Sequence, residues 1–522
     1  MSSLSRRGFL TGLGLLALTP QLAPGLAPGL AHAQAYLPSD PDIAGTLAYA
    51  VLDPATGEVL AQRAADLSLP PASTLKTVTA LYALDRLGEG HRFGTRVIRS
   101  GNMLILAGGG DPVLDTDALG ELAARVAEAE KASGLPPPTA FMVWGGALPR
   151  IERLDAVQDE HLPYNPSVSG MVLNFNRVHL GWRRGKAGHE LSLQARGSKL
   201  SPRAYTVAIA PVDRRLPLFA YDGSGKRESW TVARSALGQS GSRWLPVRRP
   251  ELYAGDVFQT LCRARGLVLP NPAVIELLPE GTEIARHDSP PLREIVAGMM
   301  EYSTNLTAEV LGLAASGAGD IPASARAMEE WLRMRGVSGD YRFHDHSGLS
   351  PENRMTARAM AQTVAGPGGA RDLRGVMKDI ALRDAKGKRI DSPISIQAKT
   401  GTLNFVSNLT GYAQKDGRQL VFSILILDEA RHRASQGQEL PEGVIGWTKR
   451  AKAAQQGLIE GWFAAGLARP PADGFAQDGF AQDGRPGSFP MPMSMHDPVL
   501  TLPNAPPADM RVPIIPGTGI FR

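Results

Sequence analysis

The stretch PASTLKTVTA, Pro71–Ala80, opens a predicted helix and places Ser73 three positions before Lys76. Apolar residues then recur at helical spacing, at Leu75, Val78, Leu81 and Leu84. Gly88 ends this pattern. Residues three apart share one face of a helix, so the hydroxyl and the amine are expected side by side. An amine of lowered pKa can accept a serine proton, but a serine near a helix start is also an ordinary cap. Taken alone, the pair leaves both interpretations open.

Two later stretches carry further polar residues in apolar surroundings. EYSTNLTAE holds the triplet Ser303, Thr304 and Asn305 between two predicted helices, where polar residues fit best if they face a cleft. AKTGTLNF places Lys399, Thr400, Gly401 and Thr402 on a predicted strand. A lysine and a threonine within an apolar strand suit the binding of a carboxylate, and a glycine there lets a substrate backbone lie close.

In this order and setting, the three motifs resemble the signature set of the penicillin-recognising serine enzymes. The first two motifs are separated by far more residues than in a compact β-lactamase. This spacing restricts the resemblance to one family. Over about residues 40–466 the chain is similar to the class C low-molecular-mass penicillin-binding proteins, the D-alanyl-D-alanine carboxypeptidase/endopeptidase family. Four further stretches carry this resemblance: LILAGGGDPVL (Leu104–Leu114), YNPSVSGMVLNFN (Tyr164–Asn176), HDHSGLSPENRMTA (His344–Ala357) and KTGTLNFVSNLTGYA (Lys399–Ala413).

The resemblance implies an activity and assigns roles to the first two motifs. The expected substrates are peptidoglycan stem peptides that end in D-Ala-D-Ala, or crosslinks made through D-Ala. Ser73 would attack the penultimate D-Ala carbonyl, and Lys76 would take the serine proton. Ser303 would relay a proton to the departing amine, and Asn305 would orient Lys76 and the substrate amide. Water would then release the acyl-enzyme, whereas β-lactams would acylate Ser73 and stay attached.

The resemblance also assigns substrate binding to Lys399, Thr400, Gly401 and Thr402. Lys399 and Thr400 would hold the terminal carboxylate and supply a positive field. The backbone N–H groups of Ser73 and Thr402 would form the oxyanion hole. No cofactor is expected, and no metal ion.

Two alternative functions share the same fold. A β-lactamase would hydrolyse the acyl-enzyme rapidly, but no Glu-x-x-Leu-Asn-type segment is evident, and Thr304 occupies the middle of the second motif. A non-catalytic cell-wall-binding protein would not need the intact side chains of Ser73, Lys76, Ser303, Asn305 and Lys399. The sequence therefore favours the D,D-peptidase over both.

The fold class predicted is α+β, with a β-lactamase/transpeptidase-like domain that carries a large strand-rich insertion. Residues 36–91 and 286–466 would form the catalytic domain, an antiparallel sheet with a helical cluster. Residues 92–285 would form one or more inserted accessory domains, long enough for a core of their own. Residues 467–522 are rich in Pro and Gly and include the tandem GFAQDGFAQDG, so we expect a disordered tail.

The N-terminal residues 1–35 are typical of a twin-arginine (Tat) export signal. Arg6 and Arg7 precede a short apolar stretch, and the small-residue site AHAQA offers cleavage after Ala33 or Ala35. We therefore expect a periplasmic protein, with at most peripheral attachment to a membrane.

Composition and charge agree with a soluble globular protein. The 522 residues are 43% hydrophobic and 20% charged, and the formal charge is +5 without any block of basic residues. Binding of nucleic acid is therefore not expected. The single cysteine, Cys262, excludes an intramolecular disulfide and is predicted to be a buried structural thiol.

One residue departs from the family pattern. His346 in HDHSGLS occupies a position where the family leads us to expect glycine. We expect it to line the cleft, where it would alter substrate preference, or to point into solvent. His344 and His346 lack a third ligand at metal-binding spacing, so an ordinary loop is the interpretation favoured.

Overall fold

The computed structural model describes residues 43–384 and 386–467. The predicted export signal and the predicted disordered tail lie outside the described residues. In chain order the strands are β1 (Thr46–Leu52), β2 (Val59–Arg63), β3 (Ser68–Leu69), β4 (Gly94–Ser100), β5 (Met103–Ala107), β6 (Ala140–Trp144), β7 (Arg177–Gly185), β8 (Gly188–Gln194), β9 (Val207–Val212), β10 (Phe219–Asp222), β11 (Glu228–Ala233), β12 (Ser240–Pro246), β13 (Pro272–Ile275), β14 (Thr282–Asp288), β15 (Tyr341–Arg342), β16 (Arg354–Thr356), β17 (Lys378–Asp379), β18 (Ser395–Leu403), β19 (Val406–Lys415) and β20 (Arg418–Leu427). The helices are α1 (Lys76–Leu87), α2 (Thr116–Ser133), α3 (Pro250–Arg263), α4 (Leu292–Tyr302), α5 (Asn305–Ser316), α6 (Ile321–Met334), α7 (Ala357–Ala365), α8 (Pro367–Ala370), α9 (Glu429–Ala434) and α10 (Val444–Ala464).

Residues 43–91 and 286–467, called here the main region, are built on one antiparallel sheet. Its six strands lie in the order β17-β18-β19-β20-β1-β2, so the first strand of the chain pairs with the last. The register places Thr46 opposite Leu427 and Leu52 opposite Val421. Strand β1 alternates between two cores because successive side chains point to opposite faces. Ala48, Ala50 and Leu52 belong to the core that includes α1, α4 and α7, and the intervening Leu47, Tyr49 and Val51 belong to the core that includes α10.

This arrangement confirms the predicted α+β class, an antiparallel sheet with a helical cluster against one face. Strands β1 and β2 form an antiparallel hairpin, the helix predicted to begin near Ser73 is present as α1, and α10 is the last described helix. A small sheet of β15, β16 and β3 leads the chain into the stretch that holds Ser73. None of the described helices combines the length and the apolar character needed to span a bilayer.

Residues 92–285, called here the inserted region, build a separate hydrophobic cluster. A five-stranded sheet of order β13-β6-β5-β4-β14 carries α2 and α3, and two three-stranded sheets complete the region. The buried members of this cluster run from Val97 to Leu269, and none comes from the main region. Cys262 is fully buried within it, as predicted, and burial raises the pKa of its thiol. The domain bounds at residues 92 and 285 stay a prediction.

Candidate active site

Ser73 lies in a tight 3-10 turn, Ala72–Leu75, that leads directly into α1. The cap positions of the turn and of the helix are Pro71 and Leu75, and neither makes a side-chain cap hydrogen bond. Ser73 is therefore not the ordinary helix cap that the sequence left open.

The turn is fixed to the central sheet through its proline carbonyls. The side-chain amide of Asn408 on β19 donates to the carbonyls of Pro70 and Pro71, at 2.9 Å each. The Thr74 hydroxyl donates to the Pro71 carbonyl at 2.6 Å. These bonds connect the position of the Ser73 hydroxyl to the rigid middle of the sheet.

Lys76 is fully buried and its Nζ faces three oxygen atoms. Ser73 Oγ lies at 3.0 Å, Asn305 Oδ1 at 2.7 Å and the Ser347 carbonyl at 2.7 Å. A neutral amine has two N–H groups and one lone pair. The two carbonyl-type oxygens can take both N–H groups, which leaves the lone pair for the Ser73 proton.

The second predicted motif lies at the junction between α4 and α5. Ser303 adopts a left-handed conformation, φ 59°, which ends α4 and turns the chain into α5. Asn305 begins α5, and its amide nitrogen donates to the Tyr164 carbonyl at 3.1 Å. Because the amide group is held at its nitrogen, its oxygen stays directed at Lys76.

Lys399 lies on β18, almost fully buried, and connects the third motif to the second. Its Nζ is 2.9 Å from Ser303 Oγ and 2.9 Å from the Thr400 carbonyl. Burial is the main reason why the pKa of Lys399 lies well below its usual value, and the positive charges of Lys76 and Lys378 lower it further. The structure thus brings side chains of all three motifs together around Ser73.

Gly401 packs closely against the Ser73 turn. A Cβ at this position would lie 2.8 Å from the Pro71 carbonyl oxygen and 3.0 Å from the Thr74 nitrogen. The structure thus gives a packing reason for a glycine here, and the expected approach of a substrate backbone stays a prediction. The oxyanion hole formed by Ser73 and Thr402 stays a prediction.

Two clefts open beside this cluster, and both are lined by Tyr164 of the inserted region. One, of about 60 Å³, continues past the end of β18 and includes Thr402 and Leu349 in its wall. The other, of about 20 Å³, includes Ser303 and Asn305. Residues of the second and third motifs thus line open space beside the cluster.

Both expectations for His346 are wrong. The side chain is fully buried, so it neither points into solvent nor lines the cleft. Its Nδ1 lies 2.7 Å from a carboxylate oxygen of Glu309, which is equally buried. Within the described part of the chain, no group of three His, Cys, Asp or Glu side chains is placed to hold a metal ion.

Sequence reasoning missed the contributions of Tyr164 and Ser347. Both act through a main-chain carbonyl, which leaves no residue-type signature. The available signal was that both residues fall in stretches that carry the family resemblance, YNPSVSGMVLNFN and HDHSGLSPENRMTA.

A family model, the D-Ala-D-Ala carboxypeptidase 3 (S13) family, matches residues 31–451 of the chain. A D-alanyl-D-alanine carboxypeptidase of Actinomadura sp. (strain R39) is 28% identical over 433 residues, which cover 74% of this chain and 78% of that protein. A carboxypeptidase of Mycobacterium tuberculosis is 27% identical over 419 residues, 75% of this chain and 78% of the relative.

The fold is similar to that of penicillin-binding protein 4 from Haemophilus influenzae. The match to that crystal structure covers 81% of this chain and 98% of that chain, with a TM-score of 0.61 at 17% sequence identity. A second structure of the same protein, complexed with a β-lactam, gives a TM-score of 0.60 at 19% identity over 82% of this chain and 98% of that chain.

Proposed function

The chain belongs to the D-Ala-D-Ala carboxypeptidase 3 (S13) family, and we propose that it cleaves peptidoglycan stem peptides through an acyl-enzyme on Ser73. As a member of this family it is a serine peptidase, a hydrolase with D,D-peptidase activity. Both the terminal D-Ala of a stem peptide and a crosslink made through D-Ala are substrates in this proposal.

The reaction proceeds by covalent catalysis in two stages. Ser73 Oγ bonds to the carbonyl carbon of the penultimate D-Ala, and the bond from that carbon to the next nitrogen breaks. The serine proton passes to Lys76, and Ser303 relays a proton to the departing amine. A water molecule then adds to the ester, and the shortened peptide leaves with a new carboxylate.

The environment of Lys76 is the observation that carries the proposal. A buried amine has no solvent to bond, so its N–H groups take the oxygens of Asn305 and Ser347, both at 2.7 Å. Ser73 Oγ lies 3.0 Å from the same nitrogen. A hydroxyl held at this distance from a lone pair is within the range for proton transfer.

In this proposal Lys399 binds the terminal carboxylate of the substrate, together with Thr400. Burial disfavours the charged form of Lys399, and a bound carboxylate would favour that form. Substrate binding and protonation of Lys399 therefore support each other. The β-lactam carboxylate would occupy the same place, which explains why such compounds would acylate Ser73.

The experiment combines labelling with a fluorescent penicillin and digestion of purified peptidoglycan. The wild type should become labelled and should release D-Ala or uncrosslinked muropeptides, identified by mass spectrometry. Ser73→Ala should do neither. Ser423→Ala serves as the matched control, since this buried serine on β20 bonds only within the sheet, to Thr410 at 3.0 Å, and should behave as the wild type.

Each contrary outcome identifies a different function. Turnover of penicillin at many cycles per second would identify a β-lactamase. A wild type that takes no label but binds cell wall would identify a non-catalytic wall-binding protein. Labelling that persists in Ser73→Ala would mean that another residue is the nucleophile.

The site of action in this proposal is the periplasm, reached by the Tat route, with at most peripheral membrane attachment. The twin arginine at positions 6 and 7 supports the Tat route. The single cysteine is buried and forms no disulfide, so folding before export needs no oxidising compartment. Replacement of both arginines by lysine should retain the protein in the cytoplasm, as measured by cell fractionation. Unchanged export would contradict this route.

A further inference from the structure

The loop between β15 and β16 supplies one of the oxygens that surround Lys76. The Ser347 carbonyl accepts a hydrogen bond from Lys76 Nζ at 2.7 Å. One residue earlier, the His346 carbonyl accepts from the Thr79 hydroxyl at 2.6 Å, one turn further along α1. The loop is thus attached to the helix that carries Lys76.

A buried carboxylate holds this part of the loop from the opposite side. Glu309 accepts from the backbone N–H of His346 at 3.1 Å and from that of Ser347 at 2.9 Å. It also accepts from His346 Nδ1 at 2.7 Å. Glu309 thus holds the two peptide groups that precede the Ser347 carbonyl, and the peptide that carries this carbonyl donates its Gly348 N–H to Asp345 Oδ1 at 2.7 Å.

The same helix supplies both supports of Lys76. Asn305 and Glu309 are four residues apart on α5 and share one face of it. Asn305 reaches Lys76 directly, and Glu309 reaches it through the loop. The direction of the Lys76 lone pair is thus set by one rigid element.

The His346 ring lies close against α5. A Cβ at Gly312 would overlap the ring, so α5 admits the imidazole only because residue 312 is glycine. The ring nitrogen Nε2 lies 2.9 Å from Ser324 Oγ on α6, on the side that does not face Glu309. An imidazole in place of the expected loop glycine is thus matched by a gap in the neighbouring helix.

We propose that Glu309 and His346 form a positioning pair that holds the Ser347 carbonyl on Lys76 and so directs its lone pair at Ser73. The inference rests on the function proposed above, in which Lys76 accepts the Ser73 proton. Neither member of the pair touches the substrate. Their effect is on the geometry of the base, and small errors in the position of a reacting group cost large factors in rate.

The charges in this part of the core are consistent with such a role. Burial alone would raise the pKa of Glu309, but the charge of His346 and the hydrogen bonds from His346 and Ser347 lower it overall. A second loop carboxyl, Asp345, is raised to a pKa of about 6 by burial and by the charge of Glu309. The contacts with His346 and Ser347 thus favour the charged form of Glu309 in spite of its burial.

The test separates the acylation step from binding. Glu309→Gln keeps the shape but removes the charge, and His346→Leu removes the Nδ1 donor at similar bulk. Each should lower the acylation rate constant for a fluorescent penicillin by about 10- to 100-fold, because the Ser347 carbonyl is no longer fixed. The dissociation constant of the pre-covalent complex should stay within about 2-fold, since the clefts and Lys399 are untouched.

Two variants control for a merely structural role. His346→Asn retains an N–H near the position of Nδ1 and should restore the rate to within about 3-fold of the wild type. Ser324→Ala removes the other hydrogen bond of the ring, so it should lower the melting temperature and leave the acylation rate constant unchanged. The labelled fraction at saturation reports how much of each variant is folded.

Wild-type acylation rate constants in Glu309→Gln and His346→Leu would overturn the proposal. So would equal losses in His346→Asn and His346→Leu, because the hydrogen bond to Glu309 would then be irrelevant. If Glu309→Gln does not fold, the comparison of His346→Asn with His346→Leu carries the same test. A wild type that takes no label at Ser73 would instead refute the proposed function.

Discussion

The main region and the inserted region both bury charged side chains, but they surround them with different partners. In the inserted region the Glu228 carboxylate accepts the N–H groups of Arg248 and Arg249, at 2.8 Å each. Asp256 accepts the N–H groups of Tyr205 and Thr206. In each case the charge holds a turn of main chain within the same region.

In the main region Glu309 also holds main chain in this way, but the two buried lysines face side chains that other segments supply. Lys76 contacts Ser73 and Asn305, and Lys399 contacts Ser303. A buried charge by itself therefore does not identify a reactive site. What distinguishes the site is that polar side chains of several segments meet there, beside a cleft.

The largest effect is expected at Lys76. Lys76→Ala removes the proton acceptor and should lower the acylation rate constant more than about 1,000-fold, with little change in melting temperature. Lys452→Ala is the matched control, since burial also lowers the pKa of that lysine, which lies on α10, and its acylation should be normal. Stopped-flow labelling measures both, and an unchanged rate in Lys76→Ala would mean that another group takes the serine proton.

The opposite pattern is expected at Asp256. Asp256→Leu leaves the N–H groups of Tyr205 and Thr206 without an acceptor and should lower the free energy of unfolding by about 2 to 3 kcal/mol. The acylation rate constant of the folded fraction should not change. Urea unfolding and the labelling assay together measure the two effects. A loss of acylation rate at constant stability would show that the contrast between the regions is wrong.

A smaller effect, specific to one kind of substrate, is expected at Lys399. Lys399→Ala should raise the KM for peptides with a free terminal carboxylate by about 10- to 100-fold and leave amidated peptides nearly unaffected. Because burial lowers its pKa, Lys399 should lose its charge at a pH below the usual lysine range. In the wild type, the KM of the free peptide should therefore rise through that pH, and that of the amidated peptide should not. Parallel changes for both peptides would refute the carboxylate contact.

The smallest effect concerns a titrating group that reports only on folding. Burial, with a further contribution from Arg196, lowers the pKa of His179 on β7 from 6.5 to about 4. The unfolded chain binds a proton first as the pH falls, so the folded state loses stability between those two values. By pH 5 the loss should reach about 1 to 2 kcal/mol, and it should be absent in His179→Gln. Urea unfolding of both proteins at several pH values measures this, and equal pH dependence would contradict it.

The sequence predicted the elements and the motifs because their signals are local. Ser73 and Lys76 are a turn apart, and the hydrophobic spacing of their helix is visible without any tertiary information. The order of three short motifs then related the distant segments through a family resemblance. Pattern alone would not have placed Lys399 beside Ser303, since pairing of strands distant in sequence carries no local signature.

The rest of the site depends on packing between distant residues. His346 is buried because Gly312 leaves room for its ring and Glu309 supplies a carboxylate, and neither residue is adjacent to it in sequence. Gly401 is needed by the turn at Pro71, although its place in a motif suggested a direct role toward substrate. Contacts through main-chain carbonyls, such as that of Ser347, can be found only in the folded structure.

The strand order of the main sheet has a consequence for how the protein is made. Strand β1, which ends at Leu52, lies between β2 and β20, and β20 starts at Arg418. While the ribosome is still translating the intervening residues, the edge of β1 stays unpaired, and Asn408 is not yet present to anchor the Ser73 turn. The contiguous inserted region can complete its own core during that interval. The nascent chain therefore contains Ser73 long before the residues that complete its site, and it can become active only late in synthesis.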